Sequence, residues 1–201
     1  MIVRQIAVGR MQNFTYVVSG GGGEAAVVDP SWDLGLVTGA LDESGLRAKY
    51  IINTHGHFDH VTGNGELQEI TGARIVQHES SELERDISVA EGGAVEIAGA
   101  ALRVMHTPGH SPDSMCLLGD GLILSGDTLF VGSCGRVDLP GGSARDLYKS
   151  LQRLRQLEDS LVLYPGHDYG VTPTSTIGAE KASNPVMQPR TEDLFAEMMG
   201  Q

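Results

Sequence analysis

Apolar and polar positions alternate at the start of the chain, and Ile2–Val8, 14–18 and 25–28 each read as β-strand. Gly20 to Gly23 separate the last two. Four glycines between apolar strands predict a hairpin tip, because glycine takes positive φ without steric cost. A phosphate-binding loop would need a helix opening directly after the glycines, whereas 24–28 reads as strand. From 33 to 45 the period changes: Leu34, Val37 and Leu41 fall at helical spacing and the stretch ends in Gly45. That helix feeds a strand at 50–53, giving a β-α-β unit. Further strands are predicted at 74–77, 102–106, 115–118 and 122–124. A helix over 144–157 follows, with Ser143 as its N-cap and a core stripe of Leu147, Leu151 and Leu154. A strand at 161–164 and two short helices, 175–182 and 191–199, complete the reading. Strands mixed with helices in this way argue for a layered α/β fold.

The chain has 201 residues, 40% hydrophobic and 20% charged, with 27 Gly and 8 Pro, a balance that places it among folded globular chains. This length is ample for one core, so a single domain over 1–201 is expected. No apolar run approaches the roughly 18 to 20 residues of a membrane helix, and the first ten residues lack a secretory pattern. A soluble cytoplasmic protein without a membrane partner is the expectation. The formal charge of -12, with no basic cluster, disfavours nucleic acid as a partner. Cys116 and Cys134 cannot build a disulfide framework, which suits a reducing compartment.

The chemistry is concentrated after strand 50–53, where Thr54-His55-Gly56-His57-Phe58-Asp59-His60 puts three imidazoles and a carboxylate within six positions of a predicted loop. Imidazole nitrogen and carboxylate oxygen suit Zn, Fe, Mn or Co, and neighbouring ligands on a loop can fan toward two metals. One loop cannot close two metal shells, so more ligands are expected at other strand ends. His110 in Thr107-Pro108-Gly109-His110-Ser111, Asp127 in Ser125-Gly126-Asp127-Thr128, and His167 in Tyr164-Pro165-Gly166-His167 each follow an apolar run beside a glycine. His78 and His106 stand outside these motifs and read as surface or internally satisfied histidines. Cys134 reads as a small loop residue, and Cys116 as core.

Taken together, THGHFDH, TPGHS, SGDT and YPGH resemble the metallo-β-lactamase superfamily in its glyoxalase II-like branch, over nearly the whole chain and in the family's order. The resemblance implies a four-layer αββα sandwich with a metal site at one edge. It places His55, His57 and His110 on one metal, Asp59, His60 and His167 on the other, and Asp127 between both. It further implies a metal-dependent hydrolase of a small acyl thioester, similar to hydroxyacylglutathione hydrolase, with two Zn per chain or a mixture of Zn with Fe or Mn. Two metals about 3.5 to 4 Å apart share a water and bring its pKa toward 7, so a bridging hydroxide would be the nucleophile. Asp59 and Asp127 would serve catalysis as well as ligation, and Arg136 and Tyr169 would hold the small-molecule thiol conjugate. Flavodiiron relatives carry Glu where His57 stands, and nucleic-acid-processing relatives carry a large added domain. The tail after His167 is shorter than the basic helical extension of full-length glyoxalase II. SCGRVDLPGG, YPGHDYG, STIGAEK and ASNP are similar both to compact hydrolases of this branch and to its persulfide dioxygenases. The dioxygenases hold a single Fe(II) through the positions of His55, His110 and Asp127, a two-His, one-carboxylate triad with open coordination positions. Oxidation of glutathione persulfide is therefore the alternative reading.

Overall fold

Strand alternation decides which layer each side chain joins in the computed structural model, which describes residues 1–201. In β2 (Asn13–Ser19) and β3 (Glu24–Val28), Tyr16, Val18, Ala26 and Val28 point to one face while Val17, Ala25 and Val27 point to the other. Both faces are buried, so these strands sit in the middle of a sandwich rather than at its surface. β1 (Ile2–Val8), β2, β3, β4 (Arg47–Ile52), β5 (Arg74–His78) and β6 (Ile87–Val89) form one sheet in chain order. The second sheet runs β12 (Ser175–Thr176), β11 (Val162–Pro165), β10 (Leu122–Gly126), β9 (Met115–Gly119), β8 (Ala100–His106) and β7 (Ala94–Ile97). The inner core joins Phe14, Tyr16 and Val28 of the first sheet to Leu102, Leu117 and Leu124 of the second.

Helices cover the outer faces. α1 (Leu34–Glu43) and α3 (Asn64–Thr71) bury Val37, Leu41 and Leu67 against Val17, Val27 and Ile51. On the far side α4 (Ala144–Leu154) and α6 (Glu192–Met198) bury Leu147, Leu151 and Phe195 against Cys116, Ile123 and Leu163, together with Ile177 of α5 (Ile177–Ser183). Ser143 caps α4 as its sequence position predicts, accepting the Asp146 N–H at 3.2 Å, a contact worth about 1 kcal/mol. The architecture is thus the four-layer αββα sandwich, with helices flanking two six-stranded sheets. No helix is long and apolar enough to cross a membrane.

The predicted strands and helices all occur, with shifts of a few residues at their ends. The four-glycine segment is the β2–β3 hairpin tip, with Gly21 and Gly23 at positive φ. Residues 175–176 are a two-residue strand rather than the start of a helix. The helix α3, the single turn α2 (Phe58–Val61) and a 3-10 turn at Pro185–Met187 went unpredicted, and so did strands β6 and β7. α2 corrects the reading of the histidine-rich segment as a loop. His55 and His57 precede the helix in irregular backbone, but Asp59 and His60 are on it.

Candidate metal centre

Strand ends converge at one edge of the sandwich. Beyond the C-terminal end of β4 come His55 and His57, then Asp59 and His60 on α2; beyond β8 comes His110, beyond β10 Asp127 and beyond β11 His167. Two glycines permit the approach. Gly126, at φ 50°, lies so close to Thr54 that an added Cβ would collide with its side chain, and a Cβ on Gly166 would meet the Asp127 carboxylate.

All seven side chains come together. His55, His57 and His110 offer one group of donor atoms, Asp59, His60 and His167 a second, and His55, His60 and Asp127 a third between them, each within 4.8 Å. The Asp127 carboxylate faces both sides, Oδ2 lying 3.5 Å from His110 Nε2 and 3.3 Å from His167 Nε2, and Oδ1 3.4 Å from His60 Nε2. Six of the seven are buried, and His57 is half-buried at the rim.

The outward nitrogens of the rings are tied down. His110 Nδ1 donates to the Arg136 carbonyl at 2.8 Å and His167 Nδ1 to the Met11 carbonyl at 2.9 Å. His60 Nδ1 meets the Asp29 carboxylate at 3.0 Å, and His55 Nδ1 the Thr54 hydroxyl at 3.1 Å. A carbonyl can only accept, so in the neutral rings the inward Nε2 of His110 and His167 carry lone pairs. His60 Nε2 and His167 Nε2 face each other at 3.2 Å, and His110 Nε2 and His57 Nδ1 at 2.8 Å. His55 Nε2 and Asp127 Oδ1 are buried without a hydrogen-bond partner. Inward lone pairs, outward N–H groups held by carbonyl or carboxylate, and orphaned acceptors form a donor set that fits metal ions.

Electrostatics points the same way. Burial alone would lower the basicity of His60, but Asp127, Asp29 and Asp59 outweigh it and push its pKa up to about 9. Burial, and then the neighbouring His60, hold His55 well below its ordinary value; burial and His110 do the same more mildly for His57. Asp127 would be raised by burial, yet His60, His167 and His55 hold it far below the usual carboxylate range. The buried carboxylates thus create a field that calls for positive charge among the imidazoles.

Several supporting residues carry no motif and escaped sequence reading. Asp29, just past β3, accepts the Thr54 N–H at 2.7 Å and the Thr54 hydroxyl at 2.6 Å while it holds His60. Its position after an apolar strand was the available signal. Asn13 donates to the Asp59 carboxylate at 3.0 Å, and Ser31 to the Asp59 carbonyl at 2.6 Å.

A cavity of about 680 Å³ opens onto the cluster. Met11, Phe58, Phe130, Leu139 and Tyr169 contribute apolar surface, and Asp59, His110, Asp127 and His167 form part of its lining. Tyr169 stacks on His167, their rings 4.6 Å apart and 9° from parallel. Arg136 also lines the cavity, but its guanidinium makes a bidentate pair with Asp138 at 2.5 and 2.6 Å. Cys134 is at the wall; burial pushes its thiol up to about 12, which leaves no thiolate for nucleophilic attack near neutral pH. His78 is buried and stacks on His106 at 4.0 Å, and neither belongs to the donor groups.

A family model described as the metallo-beta-lactamase superfamily matches residues 8–84 and 79–167. Among curated proteins, the chain is 36% identical over 159 residues to a hydroxyacylglutathione hydrolase of Anaeromyxobacter dehalogenans, covering 78% of this chain and 62% of that one. It is 33% identical over 182 residues to the mitochondrial persulfide dioxygenase ETHE1 of Homo sapiens, covering 88% and 71%. Among solved structures, ETHE1 from Myxococcus xanthus superposes with a TM-score of 0.94 at 31% identity, covering 100% of this chain and 91% of that one.

Proposed function

Because the chain belongs to the metallo-beta-lactamase superfamily, we propose that it is a metal-dependent hydrolase of small acyl thioesters. The observation that carries this reading is the doubled donor set, in which two groups of three side chains face each other across Asp127. In this proposal His55, His57 and His110 would hold one ion and Asp59, His60 and His167 a second, with Asp127 placed to serve either. Metal ions bound there would supply Lewis-acid polarisation of the thioester carbonyl and a water acidic enough to ionise near neutral pH.

The chain's own residues do the rest. Asn13 and Ser31 fix Asp59, so its carboxylate is aimed before substrate arrives and can orient the attacking water. Tyr169, stacked on His167, and Phe130, edge-on to both rings, shield the far side from bulk solvent. Hydrolysis forms a C–O bond, breaks the C–S bond and releases a carboxylic acid and a thiol. The thiol departs as thiolate without needing a general acid, so Cys134 and the remaining histidines have no assigned step. The expected compartment is the cytoplasm.

A second reading has its own observation. The full-length superposition on the Myxococcus ETHE1 supports a persulfide dioxygenase, with one Fe(II) on His55, His110 and Asp127. Metal analysis of protein purified without added metal, paired with two assays, separates the readings. Two ions per chain and thiol release from S-lactoyl thioesters are expected. One iron per chain, oxygen uptake on glutathione persulfide and no thioester hydrolysis with Zn, Mn or Fe would replace the hydrolase by the dioxygenase.

A further inference from the structure

The residues around the cavity mouth bear on which thiol carries the acyl group. Large apolar side chains stand open to solvent here: Phe58 is 64% exposed, its ring edge-on to Trp32 with centroids 6.1 Å apart, and Met11 and Tyr169 are exposed on the same cavity. Exposed aromatic surface on the rim of a cavity that leads to a polar centre is what an apolar or amide-bearing ligand chain would cover.

Charge is arranged in the complementary way. Arg136 is the one Lys or Arg that lines the cavity, and the Nε and Nη2 edge of its guanidinium is engaged by both carboxylate oxygens of Asp138. The pair is exposed and adds little to folding, but it cancels the charge at the mouth. A ligand carboxylate seeking Arg136 must displace Asp138 or share the guanidinium with it, in a chain whose formal charge is already -12. Asp138, which the Arg136 guanidinium brings down to about 2, stays ionised through the neutral range.

We propose that the cavity takes acyl thioesters of an uncharged thiol carrier, an amide-containing alkyl thiol, in preference to conjugates of an anionic peptide thiol such as glutathione, with Asp138 setting that preference by occupying Arg136. The inference rests on the thioesterase reading for the identity of the reaction but not for the preference itself, which binding alone can measure.

The test uses the metal-loaded protein and two thioethers that cannot be hydrolysed, S-hexyl-N-acetylcysteamine and S-hexylglutathione, with affinities measured by calorimetry. The uncharged probe is expected to bind about tenfold more tightly, the factor one charge-assisted contact commands. Asp138→Asn, with its fold checked by circular dichroism, is expected to shift the ratio about tenfold toward the glutathione probe. Phe58→Ala should weaken the uncharged probe. Equal or tighter binding of S-hexylglutathione by the unsubstituted protein, or binding of neither probe, overturns the inference even if Asp138→Asn fails to fold. Absence of hydrolysis on S-lactoyl thioesters of both carriers would instead overturn the thioesterase reading, and the affinity ratio would still decide this one.

Discussion

Asp29 occupies a backbone conformation, φ 51°, that few side chains other than Asn and Asp tolerate, and from there its carboxylate reaches the Thr54 amide, the Thr54 hydroxyl and the His60 ring. An acidic partner on the outer nitrogen fixes the tautomer and raises the electron density of the inner one. Asp29→Ala would leave a buried Thr54 N–H and His60 Nδ1 unsatisfied and let the ring turn. The expected result is about 10- to 100-fold weaker metal affinity in a chelator competition, and unchanged affinity would show that His60 is oriented by something else. The seven clustered His and Asp were legible in the sequence because imidazole and carboxylate recur beside glycine at strand ends. Asp29 was not, although it too follows an apolar strand: no second polar residue of rare type stands beside it, and its role depends on Thr54 and His60 reaching it from beyond the end of β4. Arg136 and Asp138 show a similar limit, since a sequence lists both residues but does not show that one guanidinium is engaged by the other.

Helix α5 acts on the cavity wall from behind. Glu180, buried on its inner face, accepts the Gly132 N–H at 2.9 Å and the Asn184 amide at 2.7 Å, while Asn184 also donates to the carbonyls of Phe130 and Ser133 at 3.2 Å. Two side chains one helical turn apart thereby hold the loop that presents Phe130 and Cys134 to the cavity. Glu180→Ala leaves the Gly132 N–H without its acceptor, at about 1 to 3 kcal/mol, and takes from the Asn184 amide one of its three acceptors. For a chain of this size each kcal/mol lowers Tm by roughly 2 to 4 °C. The thermal midpoint should therefore fall by several degrees and KM should rise as the wall loosens, whereas Glu180→Gln, which keeps an acceptor, should recover much of both. A fall in Tm with KM unchanged would limit the clamp to stability. Elements with long apolar periods, β2, β3 and α4, could be read from the sequence because burial on one or both faces writes itself into the spacing. α2 and α3 could not: one is a single turn, and the other buries a single large apolar side chain, Leu67, so no stripe forms.

The donors are divided between the two halves of the sandwich: His55, His57, Asp59 and His60 follow a strand of the first sheet, and His110, Asp127 and His167 follow strands of the second. The sheets also meet directly at that edge, with Gly126 against Thr54, the Met115 N–H donating to the Thr54 carbonyl at 2.8 Å and the Phe14 N–H to the Gly166 carbonyl at 2.9 Å. Buried Asp29, Asp59 and Asp127 gather around the His60 ring at 3.0 to 3.4 Å and push its pKa up to about 9. Metal ions bound by this set would therefore link the sheets and neutralise the edge where they meet, and their binding energy would appear as folding stability. At a free ion concentration 1,000 times Kd the linkage amounts to about 4 kcal/mol, or roughly 8 to 16 °C in Tm for a chain of this length. Calorimetry after exhaustive chelation should show a fall of that order, reversed by adding back Zn, Mn or Fe(II). A Tm insensitive to both chelation and re-addition would mean that the two sheets hold this edge together unaided and that the seven side chains do not bind an ion tightly.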